Sequence, residues 1–433
     1  MTLTKALAQR ALEPPAEPVR DQLRLLTLGN LAAAAGDLGA AGRLIERLLP
    51  ADHRSPADAA RRWGMTLHAR TQDDFFPHGR VHVGAATLAT ALALEDAVGD
   101  RLLECLAAGY DVMCRVSAAY SGVAQRRGMR PTGMFGPLGA AATAAVAMNL
   151  GEDGVANAIG LAATMSAGTN QAWLSGTDEW LLELGAAARA GVEAGELTAA
   201  GATASPQALE GAAGWARAFF HDDGARALAE RMEEVSGVLD VATKPYPVSG
   251  IAEVPTWLAC RAHLDLQGAA PDSIAVGVSE AEATYPGSAN RGPFRSRSDA
   301  LMSLAFCVAC GITDGLVPLG RLERPGDAGL AHVIERVELQ PRGDLAETEA
   351  TLTVTAGDRC IEIRGAGADV LYPSWHGMDA DSLAARNEAG AGLVRNARDE
   401  LMRDAPSARS VKDLLKGEPC RVASNPSSAA STS

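Results

Sequence analysis

The sequence predicts a mainly α-helical protein, in which helical parts at both ends of the chain flank a smaller α+β domain. Aromatic residues make up only 4% of the 433 residues, while alanine and glycine are abundant, which is typical of closely packed helices. β-Branched alternation is almost absent before about residue 246, and period-2 patterns typical of half-buried strands follow it. Helical patterns return from about residue 382.

The helices of the first part follow one another with short breaks. Residues 1–19 predict a frayed arm, because Pro14, Pro15 and Pro18 interrupt it. Two helical patterns between residues 21 and 49 are separated by glycines. Ser55-Pro56 predicts a further helix start, with serine as the cap. Further helices are predicted at 84–97, 101–121, 140–150, 153–166, 179–201 and 205–211, and residues 126–139 predict a polar, glycine-rich loop.

The second part predicts a mixture of helices and strands. A strand is predicted at 273–279, half-buried antiparallel strands at 333–340, 350–355 and 359–364, and helices at 252–264 and 297–315. The predicted domains are therefore residues 1–246 with 379–420, all-α, and residues 247–378, α+β. Residues 421–433 predict a disordered tail.

Charge and cysteine usage restrict the function classes. The net charge of −14 argues against nucleic acid or a membrane surface as a partner, but a locally basic pocket could still take a small anion. Seven cysteines without a disulfide spacing predict a reducing, cytoplasmic environment. Cys307 and Cys310 form a C-x-x-C, but they lie in an apolar run and are interpreted as core residues. We expect no signal peptide and no membrane span.

The ten residues from Asp73 to His82 form the densest polar stretch of the chain, and a long apolar segment follows them. His82 is the strongest candidate acid or base, since imidazole titrates near neutrality, and Asp73 or Asp74 could orient it. His78 is a second candidate. The alternative is that these residues are loop and helix-capping residues. No metal site is predicted, because Pro77 and Gly79 argue against a helix that would align His78 with His82.

Several motifs together resemble one family. They are Gly64–His68 before Asp73-Asp74, His82, Ala107–Tyr110, Gly128–Gly133, Gly185–Gly191, Lys244–Pro247, and Asn290-Arg291 before Ser303. In this order they resemble the MmgE/PrpD family, which includes 2-methylcitrate dehydratase and cis-aconitate decarboxylase and to which iminodisuccinate epimerase is similar. The resemblance implies a large all-α domain built from both ends of the chain and a smaller inserted α+β domain. It also implies a cleft between the two domains and usually a homodimer. It implies no iron–sulfur cluster, and no cofactor is expected.

The sequence departs from the family at positions that carry chemistry. Arg130 stands where the family has a histidine credited with proton transfer, and Trp180 and Glu183 stand at the places of a lysine and a histidine. Arginine cannot act as a base, but it can hold a carboxylate by two hydrogen bonds. The departures also include Thr71 and Ser288, whereas Asp73, Asp74, His82, Thr132, Lys244 and Tyr246 match the family.

These residues predict two groups in the site. The predicted catalytic residues are His82, Asp73, Asp74 and Lys244. The predicted substrate-binding residues are Arg130, Thr132, Tyr246, His78, Trp180, Glu183 and Arg291. Lys244 could bind a carboxylate or act as a base, or it could be a solvated lysine at a domain junction. Glu183 could replace the lost base, or it could be a charge at a helix start.

The favoured hypothesis is a divergent enzyme of this family, with a specialised biosynthetic pathway as one setting for it. It would move a proton next to a carboxylate of a small metabolite, as a lyase, dehydratase or epimerase does. One alternative is a catalytically silent member that binds a ligand. Another is a cyclase or isomerase whose pocket, lined by Trp180 and Met129, acts mainly as a shaped container.

Overall fold

The computed structural model of the protein describes residues 2–49, 55–221, 237–326 and 328–416, together with Leu228 and Glu234. The tail predicted at residues 421–433 lies outside the described residues.

The first part is helical, which confirms the mainly α-helical fold class. Its helices are α1 (Leu3–Ala11), α2 (Glu17–Ala35), α3 (Gly39–Leu48), α4 (Pro56–His68), α5 (Gly84–Ala93), α6 (Glu95–Val98), α7 (Leu102–Arg126), α8 (Pro131–Ala147), α9 (Gly151–Ala163), α10 (Gln171–Ser175), α11 (Glu179–Ala199) and α12 (Trp215–Phe220). A 3₁₀ turn follows at Val238–Asp240. As predicted, Ser55 caps α4, because its hydroxyl accepts a hydrogen bond from the Asp58 amide at 3.1 Å.

The prediction of a frayed N-terminal arm is wrong. Thr2 caps α1 through a 3.2 Å bond from the Lys5 amide, and Leu3 and Leu7 are completely buried. Pro18 lies in the first turn of α2. Backbone N–H groups of the first turn have no acceptor within the helix, so a proline there removes no helical hydrogen bond. The prolines therefore separate two helices and do not prevent either.

The predicted loop at 126–139 is mostly helix, since α8 begins at Pro131. Its glycines allow close packing of neighbouring helices. A Cβ added at Gly139 would lie 2.8 Å from both the Gly109 carbonyl oxygen and the Met113 Cβ on α7. Glycine, typical of loops in a sequence, serves here to bring two helix backbones together.

The second part contains one four-stranded sheet with helices around it. The strands are β1 (Ser273–Ser279), β2 (Val337–Arg342), β3 (Glu349–Ala356) and β4 (Arg359–Ala366), in the order β2-β1-β3-β4. The helices are α13 (Glu253–Leu266), α14 (Glu280–Ala283), α15 (Arg297–Met302), α16 (Leu304–Asp314), α17 (Leu319–Glu323), α18 (Ala328–Ile334), α19 (Ala380–Asn387), α20 (Ala391–Leu401) and α21 (Ala408–Lys416). Single 3₁₀ turns occupy Gly250–Ala252 and Gly367–Asp369.

Two details of the sheet differ from the prediction. The strand predicted from residue 333 begins at Val337, because Val333 and Ile334 are the buried end of α18. That strand is parallel to β1, with Ile274 opposite Val337, whereas β3 is antiparallel to both β1 and β4. The helix predicted at 297–315 is divided at Ser303, whose hydroxyl caps α16.

The buried apolar residues form two clusters. One joins the N-terminal helices to residues 375–411, and Lys412 of α21 forms a 3.0 Å ion pair with Glu95 of α6. The other contains the sheet, α13 and α16, and it also takes in residues 38–49 and 172–181 from the first part. Among the described residues, every helix is too short or too polar to cross a bilayer.

Candidate active site

A cavity, partly open to solvent, lies beside the second cluster, which contributes Trp173, Ile251, Leu301 and Met302 to its wall. The loop after α4, the start of α8, α10 and the segment before α13 all contribute to its wall. The lining residues are His68, Thr71, Phe75, Arg80, His82, Arg130, Thr132, Trp173, Lys244, Ser249, Gly250, Ile251, Tyr285, Leu301 and Met302.

The loop after α4 is held rigidly from both sides. Phe75 and Ala242 exchange backbone hydrogen bonds of 3.0 and 2.7 Å, and the Phe76 amide donates to the Val81 carbonyl at 2.8 Å. Thr71 has a φ of +57°, which is strained for a β-branched residue. Its carbonyl oxygen accepts a hydrogen bond from the Lys244 ammonium group. Such local strain is typical of functional sites.

Asp73 lies at the centre of this loop and joins two histidines. Its carboxylate is fully buried and lies 2.9 Å from Nδ1 of His68 and 3.3 Å from Nδ1 of His82. The two imidazole rings meet edge to face, with their centroids 4.4 Å apart. Asp73 therefore orients both rings at once.

The other contacts of the two histidines fix their tautomers. Nε2 of His68 lies 3.1 Å from Nη2 of Arg130, which can only donate, so His68 carries its proton on Nδ1. Nδ1 of His82 lies 3.0 Å from the Asp74 carbonyl oxygen, which can only accept, so His82 is also protonated on Nδ1. Within the described part of the chain, Nε2 of His82 has no hydrogen-bond partner. His82 thus presents an unprotonated nitrogen at the cavity wall.

Burial controls the protonation of all three groups. It lowers the pKa of His68 to about 3, despite the attraction of Asp73, so His68 is neutral. Burial also lowers the pKa of His82, and Asp73 opposes this only in part. Burial opposes ionisation of Asp73, but the two imidazoles and their hydrogen bonds outweigh it and lower the pKa of this carboxyl. At neutral pH the cluster is a carboxylate between two neutral imidazoles.

The Asp74 side chain does not line this cavity. Its carboxylate accepts hydrogen bonds from Asn30 Nδ2 at 3.0 Å, the Gly84 amide at 2.8 Å and the Tyr110 hydroxyl. Burial raises its pKa to about 6, although these donors oppose the change. The side chain lines a second, smaller polar cavity together with Lys244. The structure therefore separates the two adjacent aspartates, and Asp73 is the one that contacts the histidines.

Arg130 lines the cavity, but most of its guanidinium is already engaged. Nη1 donates to Glu183 at 3.0 Å and to the Trp180 carbonyl, and Nη2 donates to His68. Three of its five N–H groups are thus in use, which leaves two for a ligand. Its Cζ lies 5.0 Å from the centre of the Trp173 ring. Glu183 also accepts from the Thr169 amide at 2.9 Å and does not line the cavity.

The cavity wall is cationic although the chain is acidic. Arg80, Arg130 and Lys244 line it, and none of its lining residues is an aspartate or glutamate. Lys244 is 5% exposed, and burial lowers its pKa while Glu253 and Asp73 oppose the change. Thr132 accepts the His82 amide at 3.2 Å and completes the polar wall. The arrangement favours a ligand that carries negative charge.

The remaining predicted residues lie away from this cavity. His78 is exposed and packs on Phe76, and Arg291 is exposed and donates to the Ile334 and Glu335 carbonyls. Tyr246 is partly buried, and its amide donates to Glu253 at 3.3 Å. Trp180 is 3% exposed and packs against His68 with ring centroids 5.2 Å apart, so it lies behind the cavity wall.

Sequence reasoning missed several lining residues. His68 lies five residues before Asp73 at the end of a predicted helix, and this spacing could have identified it. Arg80 lies inside the polar stretch, and its guanidinium pairs with Glu347 at 2.7 Å and covers the Tyr285 ring. No local sequence pattern indicates Trp173, Tyr285 or Ser249 as site residues, because only the tertiary fold brings them to the cavity.

The cluster of His68, Asp73 and His82 also has the composition of a metal site. Their ligand atoms lie within 4.8 Å of one another. However, each Nδ1 is already within hydrogen-bonding distance of the carboxylate, and the Arg130 guanidinium occupies the far side of His68. A cation beside a guanidinium would be repelled, so these residues fit a hydrogen-bonded group better than a metal centre.

Comparison with known proteins agrees with the helical part of this geometry. Residues 26–228 match the model of the MmgE/PrpD N-terminal domain, a range that includes Asp73, His82 and Arg130 but not Lys244 or Ser249. A search of the curated proteins found no match. Members of this family are generally lyases of the dehydratase type. Residues 26–228 of this chain are thus similar to the N-terminal domain of the MmgE/PrpD family.

Proposed function

We propose that the protein is a lyase or epimerase that removes a proton next to a carboxylate of a small metabolite, with His82 as the base. The observation that supports this best is the pairing of Asp73 with His82 beneath a cationic cavity. Asp73 holds the His82 ring so that its unprotonated Nε2 faces a space lined by Arg130 and Lys244. This chemistry requires a base that takes the proton and positively charged groups that stabilise the negative charge developing on the substrate.

The first step breaks a C–H bond of the substrate. The proton moves to Nε2 of His82, and the electron pair of the bond moves toward the adjacent carboxylate. The resulting imidazolium is stabilised by the Asp73 carboxylate, which remains ionised as it does in other oriented histidine bases. The negative charge on the substrate is stabilised by the remaining N–H groups of Arg130 and by Lys244.

The second step decides the product. If a leaving group lies on the next carbon, the electron pair of the carbanion forms the double bond, and the leaving group departs with the electrons of its own bond and takes a proton from Lys244. If there is none, Lys244 donates a proton to the face opposite His82, which inverts the centre. The lowered pKa of Lys244 favours such proton transfer, because a less basic ammonium donates its proton more readily.

A turnover assay tests this proposal. Purified protein is incubated with a panel of small hydroxy-, amino- and unsaturated carboxylates, and substrate loss is followed by NMR. We expect turnover of at least one acid, and a fall of about 10²–10⁴-fold in kcat for His82→Asn. His332→Gln serves as a matched control, since His332 is an exposed histidine on α18. Unchanged turnover in His82→Asn would remove His82 from the mechanism.

A second candidate is a family member that binds a carboxylate without converting it. It is favoured by the engagement of Arg130 and His68, whose polar groups are largely bound to the protein itself. Ligand binding measured by calorimetry with no consumption across the whole panel would support it, and conversion of any acid would exclude it.

A further inference from the structure

Glu183 lies on α11 behind the cavity wall, and each oxygen of its carboxylate accepts a hydrogen bond. Oε2 accepts from Nη1 of Arg130 at 3.0 Å, and Oε1 accepts from the Thr169 amide at 2.9 Å. A carboxylate offers two acceptor oxygens, whereas the amide of a glutamine offers one. The Glu183 carboxylate therefore ties Arg130 and the loop before α10 to one point on α11.

The two segments that Glu183 joins also pair with each other through their backbones. The Arg130 amide donates to the Gly168 carbonyl at 3.1 Å, and the Asn170 amide donates to the Gly128 carbonyl at 2.9 Å. Arg130 is 3% exposed, and Glu183 is the acidic residue within ion-pair distance of it in the described part of the chain. A buried cation that loses its anionic partner is destabilised, so Glu183 fixes the position of the Arg130 guanidinium.

The fixed guanidinium occupies one nitrogen of His68. Nη2 of Arg130 lies 3.1 Å from Nε2 of His68, while Nδ1 of His68 donates to Asp73 at 2.9 Å. A histidine that is protonated on Nδ1 can take a second proton only at Nε2. Arg130 occupies that nitrogen and places a positive charge beside it, and both effects oppose protonation of His68.

The groups that act on the charge of His68 come from three elements. Asp73 and His82 lie on the loop that follows α4, Arg130 precedes α8, and α11 presents the uncharged ring of Trp180. Burial lowers the pKa of His68 to about 3, while Asp73 opposes this change and Arg130 adds to it. Asp73 favours a protonated His68, and Arg130 acts against it.

The charge of His68 matters because this histidine shares Asp73 with the candidate base. The Asp73 carboxylate lies 3.3 Å from Nδ1 of His82 and stabilises the imidazolium formed in the proposed reaction. A protonated His68 would take up that negative charge in an ion pair. Its ring centroid lies 4.4 Å from that of His82, so it would also repel a second imidazolium. A neutral His68 leaves the charge of Asp73 to His82.

We propose that Glu183 is a positioning residue, which holds Arg130 on Nε2 of His68 and thereby reserves the negative charge of Asp73 for His82. Glu183 does not line the cavity, so it acts through Arg130 and neither binds the substrate nor takes its proton. The inference rests on the proposed function for the role of His82 as the base. The neutral state of His68 can be measured without turnover.

Nitrogen NMR of the histidine side chains tests this positioning in the protein without substrate. Protein isotope-labelled in its histidine nitrogens is titrated from about pH 7.5 to 4.5, and the signals of His68 are those missing from His68→Asn. The variants are Glu183→Ala, Arg130→Met and the two combined. Glu193→Ala is the matched control, because Glu193 also lies on α11 and pairs with an arginine, Arg189, at 2.7 Å, but lies outside the cavity lining.

The wild type and Glu193→Ala should keep His68 protonated on Nδ1 alone over this range. In Glu183→Ala the titration midpoint of His68 should rise by about one pH unit or more, and in Arg130→Met by about one to three, as expected when a charge in contact is removed. The combined variant should show no larger rise than Arg130→Met, because Glu183 acts through Arg130.

Three results would overturn the proposal. They are a His68 midpoint in Glu183→Ala equal to that of the wild type, effects that add in the combined variant, and a wild-type His68 that titrates near its ordinary value. If Glu183→Ala does not fold, Glu183→Gln replaces it. Its single acceptor oxygen cannot serve both Arg130 and the Thr169 amide, so the midpoint should rise in the same direction.

Turnover separates this inference from the proposed function. With an acid that the wild type converts, Glu183→Ala should lower kcat about tenfold or more while KM changes less than about twofold, because the base is weakened and the cavity lining is kept. A raised KM with unchanged kcat would overturn the positioning role. If no acid is converted but the His68 midpoint rises as stated, the contact from Glu183 to His68 is confirmed while the proposed function fails.

Discussion

Two adjacent aspartates in one loop have opposite surroundings. The Asp73 carboxylate accepts a hydrogen bond from His68 and lies 3.3 Å from Nδ1 of His82, whereas that of Asp74 accepts hydrogen bonds from Asn30, Tyr110 and the Gly84 amide. Histidine partners lower the pKa of Asp73, while burial without a cationic partner raises that of Asp74 to about 6. The first aspartate serves the candidate chemistry, and the second fixes the loop to α2, α5 and α7.

Substituting each aspartate with asparagine should separate these roles. Asp73→Asn should reduce kcat about 100-fold or more, because an amide does not orient or stabilise a protonated His82 as a carboxylate does. Asp74→Asn should lower the free energy of unfolding by about 1–3 kcal/mol, because an amide cannot accept all three donors. Kinetics and denaturant unfolding of both variants check this. A larger kinetic loss in Asp74→Asn than in Asp73→Asn would contradict the assignment.

The pH dependence of turnover follows from the lowered pKa of His82. The base must be neutral to accept a proton, and its pKa lies below the ordinary 6.5 because of burial. The midpoint of the acidic limb of kcat/KM should therefore lie below pH 6.5. A midpoint above pH 6.5 would indicate a different base.

At the scale of single elements, the glycines of helix α8 allow close helix packing, although the sequence pattern predicts a loop there. Gly139 lies where the backbones of α7 and α8 approach, and Gly133 at the start of the helix faces the Ala167 carbonyl. This packing fixes the N-terminal turn of α8, from which Arg130 and Thr132 reach the cavity. The sequence alone predicts a loop at residues 126–139, because the close approach that requires these glycines is a tertiary contact.

A pair of glycine-to-alanine substitutions tests this packing. Gly139→Ala should lower the free energy of unfolding by about 1–3 kcal/mol, because its Cβ would meet α7 at 2.8 Å. Gly122→Ala is the matched control on α7. Its Cβ would meet only the flexible end of Arg126 at 3.6 Å, so it should stabilise by about 0.5–1 kcal/mol. Equal effects in denaturant unfolding would show that α7 and α8 are not closely packed.

At the scale of the whole molecule, the cavity is lined by residues from both the helical first part and the mixed second part of the chain. The order of elements, the strand at 273–279 and the Asp73–His82 loop can be predicted from local pattern. The identity of the lining cannot, because Trp173, Ser249 and Tyr285 come from distant segments. The parallel pairing of β2 with β1 could not be predicted either, because the period-2 pattern of a strand does not specify the direction of the neighbouring strand. The domain boundaries at residues 246 and 378 remain a prediction.

Stability of the whole molecule should depend on pH through His68. This histidine has a pKa of about 3 in the folded protein and 6.5 when unfolded, so below pH 6.5 the unfolded chain binds more protons. Each pH unit of acidification below 6.5 then lowers the free energy of unfolding by up to about 1.4 kcal/mol. Asp74, whose folded pKa is raised, acts in the opposite sense between about pH 6 and 3.8.

Replacement of His68 isolates its contribution. On acidification from pH 6.5 to 5, the free energy of unfolding should fall less in His68→Asn than in the wild type, although the variant is less stable throughout. Denaturant unfolding at several pH values measures the two slopes. Identical slopes would show that His68 is not held neutral by burial.

Proton exchange in D₂O tests the central claim most directly, because it reports removal of a C–H proton whatever the final product. The panel of small carboxylates is incubated with protein in D₂O, and proton NMR follows the C–H next to the carboxylate. We predict exchange of at least one acid by the wild type and by His332→Gln, and exchange at least about 100-fold slower with His82→Asn. Exchange that persists unchanged in His82→Asn, or that fails for every acid with the wild type, would contradict the account.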